Sequence, residues 1–139
     1  MSPPKSLRRW FVIHFVADIV FAAPLFVAPR ALLGLLGWSC VDPLASRLVA
    51  AALFGIGVQS LLGRNGGLDE FRAMLSLKVI WSAFATVGLV WSLLEGGPPA
   101  GWLFVAIFAA FNGVWSFYRW RLRAPVVGGP ASHRLSKKP

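Results

Sequence analysis

His14 and Asp18 stand four residues apart inside an otherwise apolar run, 10–28. On a helix that spacing puts an imidazole and a carboxylate on one face, a turn apart. A third ionisable side chain, Lys78, interrupts a later apolar run, and Gln59, Ser60, Asn112 and Ser116 punctuate two more. An ionisable group inside a membrane-length apolar segment costs at least about 2.5–3.5 kcal/mol, so it persists where it has a partner or a task. Two kinds of chemistry fit these residue types. In the first, Asp18 and Lys78 form a buried ion pair, and His14, Gln59 and Asn112 complete hydrogen bonds between helices. In the second, Asp18 and His14 hold a proton, an ion or a small polar ligand. Lys78 has a further option, to snorkel to the nearer membrane surface.

Other chemistries find no residues. His14 and Asp18 supply two metal ligands, and the remaining histidine, His133, lies far away in the C-terminal tail, so neither a metal nor a haem site is expected. Cys40 is the single cysteine, which excludes an intrachain disulfide and a CxxC redox pair. It thereby excludes likeness to the four-helix membrane enzymes that generate disulfides with a quinone. No paired acids and no nucleophile–base set point to catalysis, and no cofactor is expected.

The elements that must position these side chains follow from composition. The chain of 139 residues is 57% hydrophobic and 14% charged, against roughly 25% charged in a soluble domain. Too few polar residues remain to cover a soluble surface. Four apolar segments approach the roughly 20 residues needed to cross a bilayer core: about 10–28, 44–63, 71–94 and 101–118. The expected fold is an all-α integral membrane four-helix bundle. Asp42-Pro43 offers a cap and a first-turn proline to the second span, and Asp69 offers a cap to the third. Glu95-Gly96-Gly97-Pro98-Pro99 is a tight connection. Pro24 falls inside the first helix, where a kink is expected. The stretch 30–38 is too short to cross and is expected to lie along the interface as a short helix, with Trp38 at headgroup depth. Trp91 and Trp102 belong to the same level, and Trp10, Tyr118 and Trp120 to the opposite one.

Segment 1–9 is a basic N-terminus carrying Lys5, Arg8 and Arg9, and 124–139 is a basic tail rich in Gly, Pro, Ser and Lys, expected to be disordered. A cleaved secretory signal is not expected, because His14 and Asp18 interrupt its apolar core and Pro24 follows Ala22-Ala23. The net charge of +9 comes from basic residues that flank the apolar segments. That placement points to anionic lipid headgroups rather than to nucleic acid, for which no groove-reading motif is present. Lys5, Arg8, Arg9, Arg64, Arg72, Arg119, Arg121 and Arg123 gather on one side, against Arg30 and Arg47 on the other. Both termini are therefore expected in the cytoplasm.

Two further patterns concern packing. Asp18-Ile-Val-Phe-Ala-Ala23 matches Lys78-Val-Ile-Trp-Ser-Ala83, and Gly57-Val-Gln-Ser-Leu-Leu-Gly-Arg64 matches Gly113-Val-Trp-Ser-Phe-Tyr-Arg119, in the same order. This predicts two helical hairpins in a parallel repeat, with Asp18 and Lys78 at equivalent positions. Ala51 and Gly55, and Ala106, Ala109, Ala110 and Gly113, form small-residue stripes that allow close helix approach, within the chain or in a homo-oligomer or other membrane-protein complex.

The stretch 29–57, with Ala-Leu-Leu-Gly-Leu-Leu-Gly-Trp, then Asp42-Pro43, Arg47 and a small-residue helix, resembles the DoxX-like small bacterial membrane proteins. The resemblance covers the chain only in part and rests on apolar patterning. It implies a four-helix bundle in a bacterial cytoplasmic membrane and carries over no site residue. Small multidrug exporters also place one acid in their first helix, where Asp18 stands. They use glutamate, the charge bias here opposes the dual topology of some of them, and Lys78 would neutralise the coupling acid. The expectation is a structural, accessory or interaction protein of the membrane, with a transporter or channel using Asp18 and His14 as the alternative.

Overall fold

The computed structural model describes residues 3–123, and within them the protein is all-α. Five α-helices follow in order: α1 (Lys5–Val27), α2 (Pro29–Leu35), α3 (Pro43–Leu62), α4 (Leu68–Leu94) and α5 (Gly101–Arg121), with a 3-10 turn at Gly63–Asn65. α1, α3, α4 and α5 are long and apolar enough to cross a membrane, and α3 gains the 3-10 turn as its last segment. They form a four-helix membrane bundle, with the short α2 between the first two spans. α1 begins at Lys5, so much of the expected N-terminal segment 1–9 is part of the first helix. The expected tail, 124–139, lies outside the described residues.

Local sequence explains most boundaries. The Asp42 carboxylate accepts from the backbone N–H of Leu44 at 2.8 Å and of Ala45 at 3.4 Å, and Pro43 fills the first turn where no donor is needed. α4 departs from expectation. It starts at Leu68, with Gly67 as its cap. Asp69 therefore sits inside the first turn, where a carboxylate favours the helix dipole, and it pairs with Arg72 at 2.9 Å. α1 runs through Pro24 to Val27. The α4 terminus is a Schellman turn: Gly97 N–H bonds to Ser92 C=O and Gly96 N–H to Leu93 C=O, with Gly96 at φ 106°. Arginines close two other helix ends. Arg47 donates to the Phe26 carbonyl at 3.1 Å and Arg72 to the Leu122 carbonyl at 2.8 Å.

The bundle is apolar on its outside, as a lipid-facing surface requires. Val20 is 69% exposed and Phe84 74%, both well inside their helices, and a soluble protein rarely shows such a continuous patch. Trp91, Trp102 and Trp120 are likewise exposed, but Tyr118, expected at the interface, is buried. Its ring joins Leu7, Phe11, Phe71, Met74, Leu75, Trp115 and Leu122 in an apolar cluster at the end of the bundle nearer the start of α1. A smaller cluster of Ala22, Leu25, Ala50 and Leu53 lies at the other end.

Backbones approach closely in two pairs, α1 with α3 and α4 with α5. These are the two hairpins the internal repeat calls for. The closeness of α1 and α3 has a visible cause. Ala22 and Ala50 are fully buried, and a Cβ at Gly57 would lie 2.9 Å from the Cβ of Asp18. The repeat-equivalent Gly113 has open space around it, so the two hairpins are not packed alike at this position. The expected stripes do not serve packing within the chain. Ala51, Gly55, Ala106, Ala109, Ala110 and Gly113 are all exposed on the outer surface, because the inward faces of α3 and α5 are set by Ala50, Leu53, Gly57 and Ser60 and by Trp115 and Tyr118.

Gly57→Ala must therefore push α1 away from α3, and it should destabilise the protein by about 1–3 kcal/mol, the usual cost of overpacking. Gly55→Ala, with nothing within 4 Å of the new methyl, should stay within about 0.5 kcal/mol. Unfolding in mixed detergent micelles, followed by helix signal, measures both; equal effects would show that Gly57 is not the contact that sets this spacing.

Candidate functional site

Between the two apolar clusters lies a polar layer to which all four spans contribute. His14 and Asp18 come from α1, Ser60 from α3, Lys78 and Ser82 from α4, and all five are buried; Asn112 of α5 is half-buried beside them. Chain direction explains the convergence. α1 and α4 run one way and α3 and α5 the other, and each presents its polar residues at the same depth.

Lys78 is the centre of the layer. It is 2% exposed, so it does not snorkel to either surface. Its Nζ donates to Ser60 Oγ at 2.6 Å and lies 3.1 Å from His14 Nδ1. The ring centroids of Trp115 and Phe11 are 4.9 and 5.2 Å away, within the range of a cation–π contact. No direct Asp18–Lys78 ion pair forms. The His14 ring stands between them, with Nδ1 2.8 Å from Asp18 Oδ2. That contact is short but misaligned for a hydrogen bond, and Oδ2 is buried without another partner. The reason is steric. Asp18 turns its carboxylate towards Gly57, whose missing side chain leaves the room, while Lys78 reaches across to Ser60.

Of the five expected site residues, four meet in this layer. The exception is Gln59, which is exposed on the outside of α3. Its neighbour Ser60, one residue or about 100° further round the helix, takes the Lys78 hydrogen bond instead. Asn112 does join helices, donating to the Val79 carbonyl and to Ser82 Oγ, each at 2.9 Å. Two residues went unremarked in the sequence. Ser82 lies one turn after Lys78, a spacing that makes it legible in hindsight; its hydroxyl donates back to the Lys78 carbonyl at 2.7 Å. Trp115 looks like one more apolar residue of a membrane span. Its ring is fully buried, stacks on Phe111 and meets His14 edge-on, and its indole N–H is buried without a partner.

The layer borders two cavities. The larger, of about 130 Å³, extends from His14, Asp18, Lys78 and Ser82 towards the far end of the bundle. The smaller, of about 90 Å³, lies between α3 and α4, against Gln59, Met74 and the other side of Lys78. Among the described residues no three His, Cys, Asp or Glu side chains gather as a metal site would require.

The arrangement poses a problem of protons. His14 Nδ1 carries either a hydrogen or a lone pair, yet it faces a carboxylate oxygen and an amine at once. With Nδ1 protonated, its hydrogen faces a charged Asp18 and can donate once the ring or the carboxylate turns into line, and Lys78 must rely on Ser60 and the aromatic rings. With Nδ1 unprotonated, it can accept from the Lys78 ammonium, and Asp18 must be a neutral acid to sit so near. The first pattern holds its imidazole proton at Nδ1; the second holds it at Nε2 and has one more proton, on Asp18. The two differ by a single proton.

Comparison with family models, with curated proteins and with solved structures gave no match to this chain.

Removing the Ser60 hydroxyl leaves the Lys78 amine short of an acceptor. Ser60→Ala should cost about 1 kcal/mol, the scale of hydrogen bonds between membrane helices, whereas Gln59→Ala should stay within about 0.5 kcal/mol. Equilibrium unfolding of the two variants in mixed micelles decides between them. Equal losses would mean that Gln59 serves the layer after all.

Proposed function

We propose that this chain is a small multi-pass protein of a bacterial cytoplasmic membrane, of the DoxX-like kind, that binds and passes a proton, alone or with a small polar ligand, at Asp18 and His14. One observation carries the reading: a single imidazole nitrogen lies 2.8 Å from a carboxylate oxygen and 3.1 Å from an amine, inside a bundle that otherwise buries apolar side chains. A proton arriving at His14 Nε2 releases the one on Nδ1 to Asp18 Oδ2 once the ring or the carboxylate turns their 2.8 Å contact into line, so the imidazole relays without net change in its own charge. A buried acid and imidazole in a span are the usual parts of such relays. The membrane assignment draws on the four apolar helices. The orientation, with both termini in the cytoplasm, draws on the lysines and arginines that cluster at one end, where they also suit anionic headgroups.

A second reading has its own support. Lys78 ties α4 to α3 through Ser60, and Asn112 ties α5 to α4. In this reading the layer only holds the bundle together, and the protein acts as an accessory or interaction partner in the membrane.

Proteoliposomes containing a pH-sensitive dye separate the two. The purified protein should collapse an imposed pH gradient faster than protein-free vesicles do. Asp18→Asn should lower that excess rate at least about tenfold while the helix signal is retained, the size expected when a positioned proton-transfer group is removed. A wild-type rate equal to that of empty vesicles would overturn the proton reading. Under the structural reading, Asp18→Asn and Lys78→Met each lower the unfolding free energy, and the double variant regains part of the loss.

A further inference from the structure

The larger cavity adjoins the relay at one end and departs from it in lining at the other. Its volume, about 130 Å³, is close to that of engineered protein cavities of about 150 Å³ that stay dry and take up benzene. Beyond the polar layer its walls include Phe21, Leu53, Trp81, Phe104, Ile107 and Phe108. Apolar walls of this kind do not retain water, and aromatic edges and faces favour a ring between them. The end nearer the layer differs in kind. There His14, Asp18, Lys78 and Ser82 line the wall, and together they offer a carboxylate, an amine and a hydroxyl. A group that both donates and accepts hydrogen bonds satisfies such a mixture best, and a hydroxyl does both.

The route into the cavity also selects. α1 packs its backbone closely on α3, and α5 on α4, whereas α1 and α5 meet chiefly through side chains such as Phe21 and Phe104. Ala17 of α1 and Ile107 of α5 line the cavity and are at the same time exposed on the lipid-facing surface. The mouth therefore opens sideways into the bilayer, and a molecule that uses it must first dissolve in lipid.

We infer that this cavity binds a neutral one-ring hydroxyarene that enters from the bilayer, its ring among the phenylalanines and its hydroxyl at Asp18 and Lys78. The inference rests on the proposed role of the polar layer as a working site, and it adds the chemical class that the site receives. The hydroxyl supplies the hydrogen bond that the Asp18 carboxylate lacks within the chain, and its oxygen accepts from Lys78.

Fluorine NMR of the full chain in lipid nanodiscs tests it, with 4-fluorophenol and fluorobenzene as probes and empty nanodiscs as the reference. 4-Fluorophenol should show saturable binding beyond its partition into empty discs, at least about tenfold tighter than fluorobenzene, a ratio set by one buried hydrogen-bonding group. Ile107→Trp fills the cavity from its exposed rim and should abolish the saturable signal. Ala17→Phe does the same from the other side of the mouth, and helix content measured alongside verifies that both variants fold. Asp18→Asn should reduce the preference for the phenol over fluorobenzene. Partition identical in empty and protein-loaded discs would overturn the inference, as would binding that survives both rim variants. Equal binding of the two probes to the wild type would overturn the assigned polar end. Proton flux without probe binding sinks this inference and leaves the relay standing, whereas probe binding without flux does the reverse.

Discussion

Lys78 brings a primary amine to the axis of a bundle that is otherwise built from hydrocarbon, and much of the layer's geometry follows from satisfying it. The group is 2% exposed, so the hydrogen bonds it makes within the chain must come from its neighbours in the bundle. Its acceptors and rings come from the other three spans: Ser60 on α3, His14 and Phe11 on α1, Trp115 on α5. Each partner has to present one face at one depth, which restricts the rotation and the vertical offset of each helix. Apolar packing alone leaves those freedoms loosely specified, since lipid tails solvate leucine as well as a neighbouring helix does.

The closeness of α1 to α3 is the second half of the same constraint. Gly57 and the buried alanines let α1 come near enough for Asp18 to turn its carboxylate into α3. A larger residue at 57 would expel the acid from the layer or the helix from its partner. The charge of Lys78 is therefore not neutralised by a direct salt bridge, and the imidazole of His14 mediates between acid and amine. A directly paired Asp18 and Lys78 would have closed the site. Under the proposed reading, the interposed ring keeps one proton exchangeable.

The architecture was largely legible in the sequence, because membrane spans obey a composition rule that needs no tertiary information: long apolar runs, basic flanks and turn residues between them. The Asp42 cap and the connection at residues 95–99 were legible for the same local reasons. Depth was legible too, since chain direction alone places His14, Asp18, Lys78 and Asn112 at one level. Rotation about each helix axis was not. In a span that is apolar all round, nothing in the residue pattern distinguishes inside from outside, so Gln59 and Ser60 were equivalent candidates until α3 was docked. The same blindness left open whether Ala106, Ala110 and Gly113 pack within the chain or outside it, and it hid Trp115, whose type suits lipid, core and interface alike. Asp69 illustrates a different limit. A helix that begins two residues early turns a capping residue into a first-turn residue, and propensity does not resolve a shift of that size.

The position of Lys78 between the two cavities bears on what can cross the bundle. The larger cavity approaches the amine from the end where α1 and α4 finish, and the smaller one from the side of Met74 and Gln59. Between them the contacts at 2.6 and 3.1 Å are van der Waals-tight and leave no room for a water molecule. A solute as large as a ring can therefore occupy the first cavity and go no further without moving Lys78 away from Ser60. Under the proposed reading a proton needs no such opening, because turning the 2.8 Å contact of His14 with Asp18 into line lets it pass by exchange. On that reading the layer separates two classes of cargo by mechanism rather than by size alone: a ligand bound from the lipid side stays on that side, while a proton passes through His14 and Asp18. Coupling between ligand and proton, under the proposed reading, then needs no large rearrangement of the helices. It needs only that a bound hydroxyl and the Nδ1 proton compete for the same carboxylate.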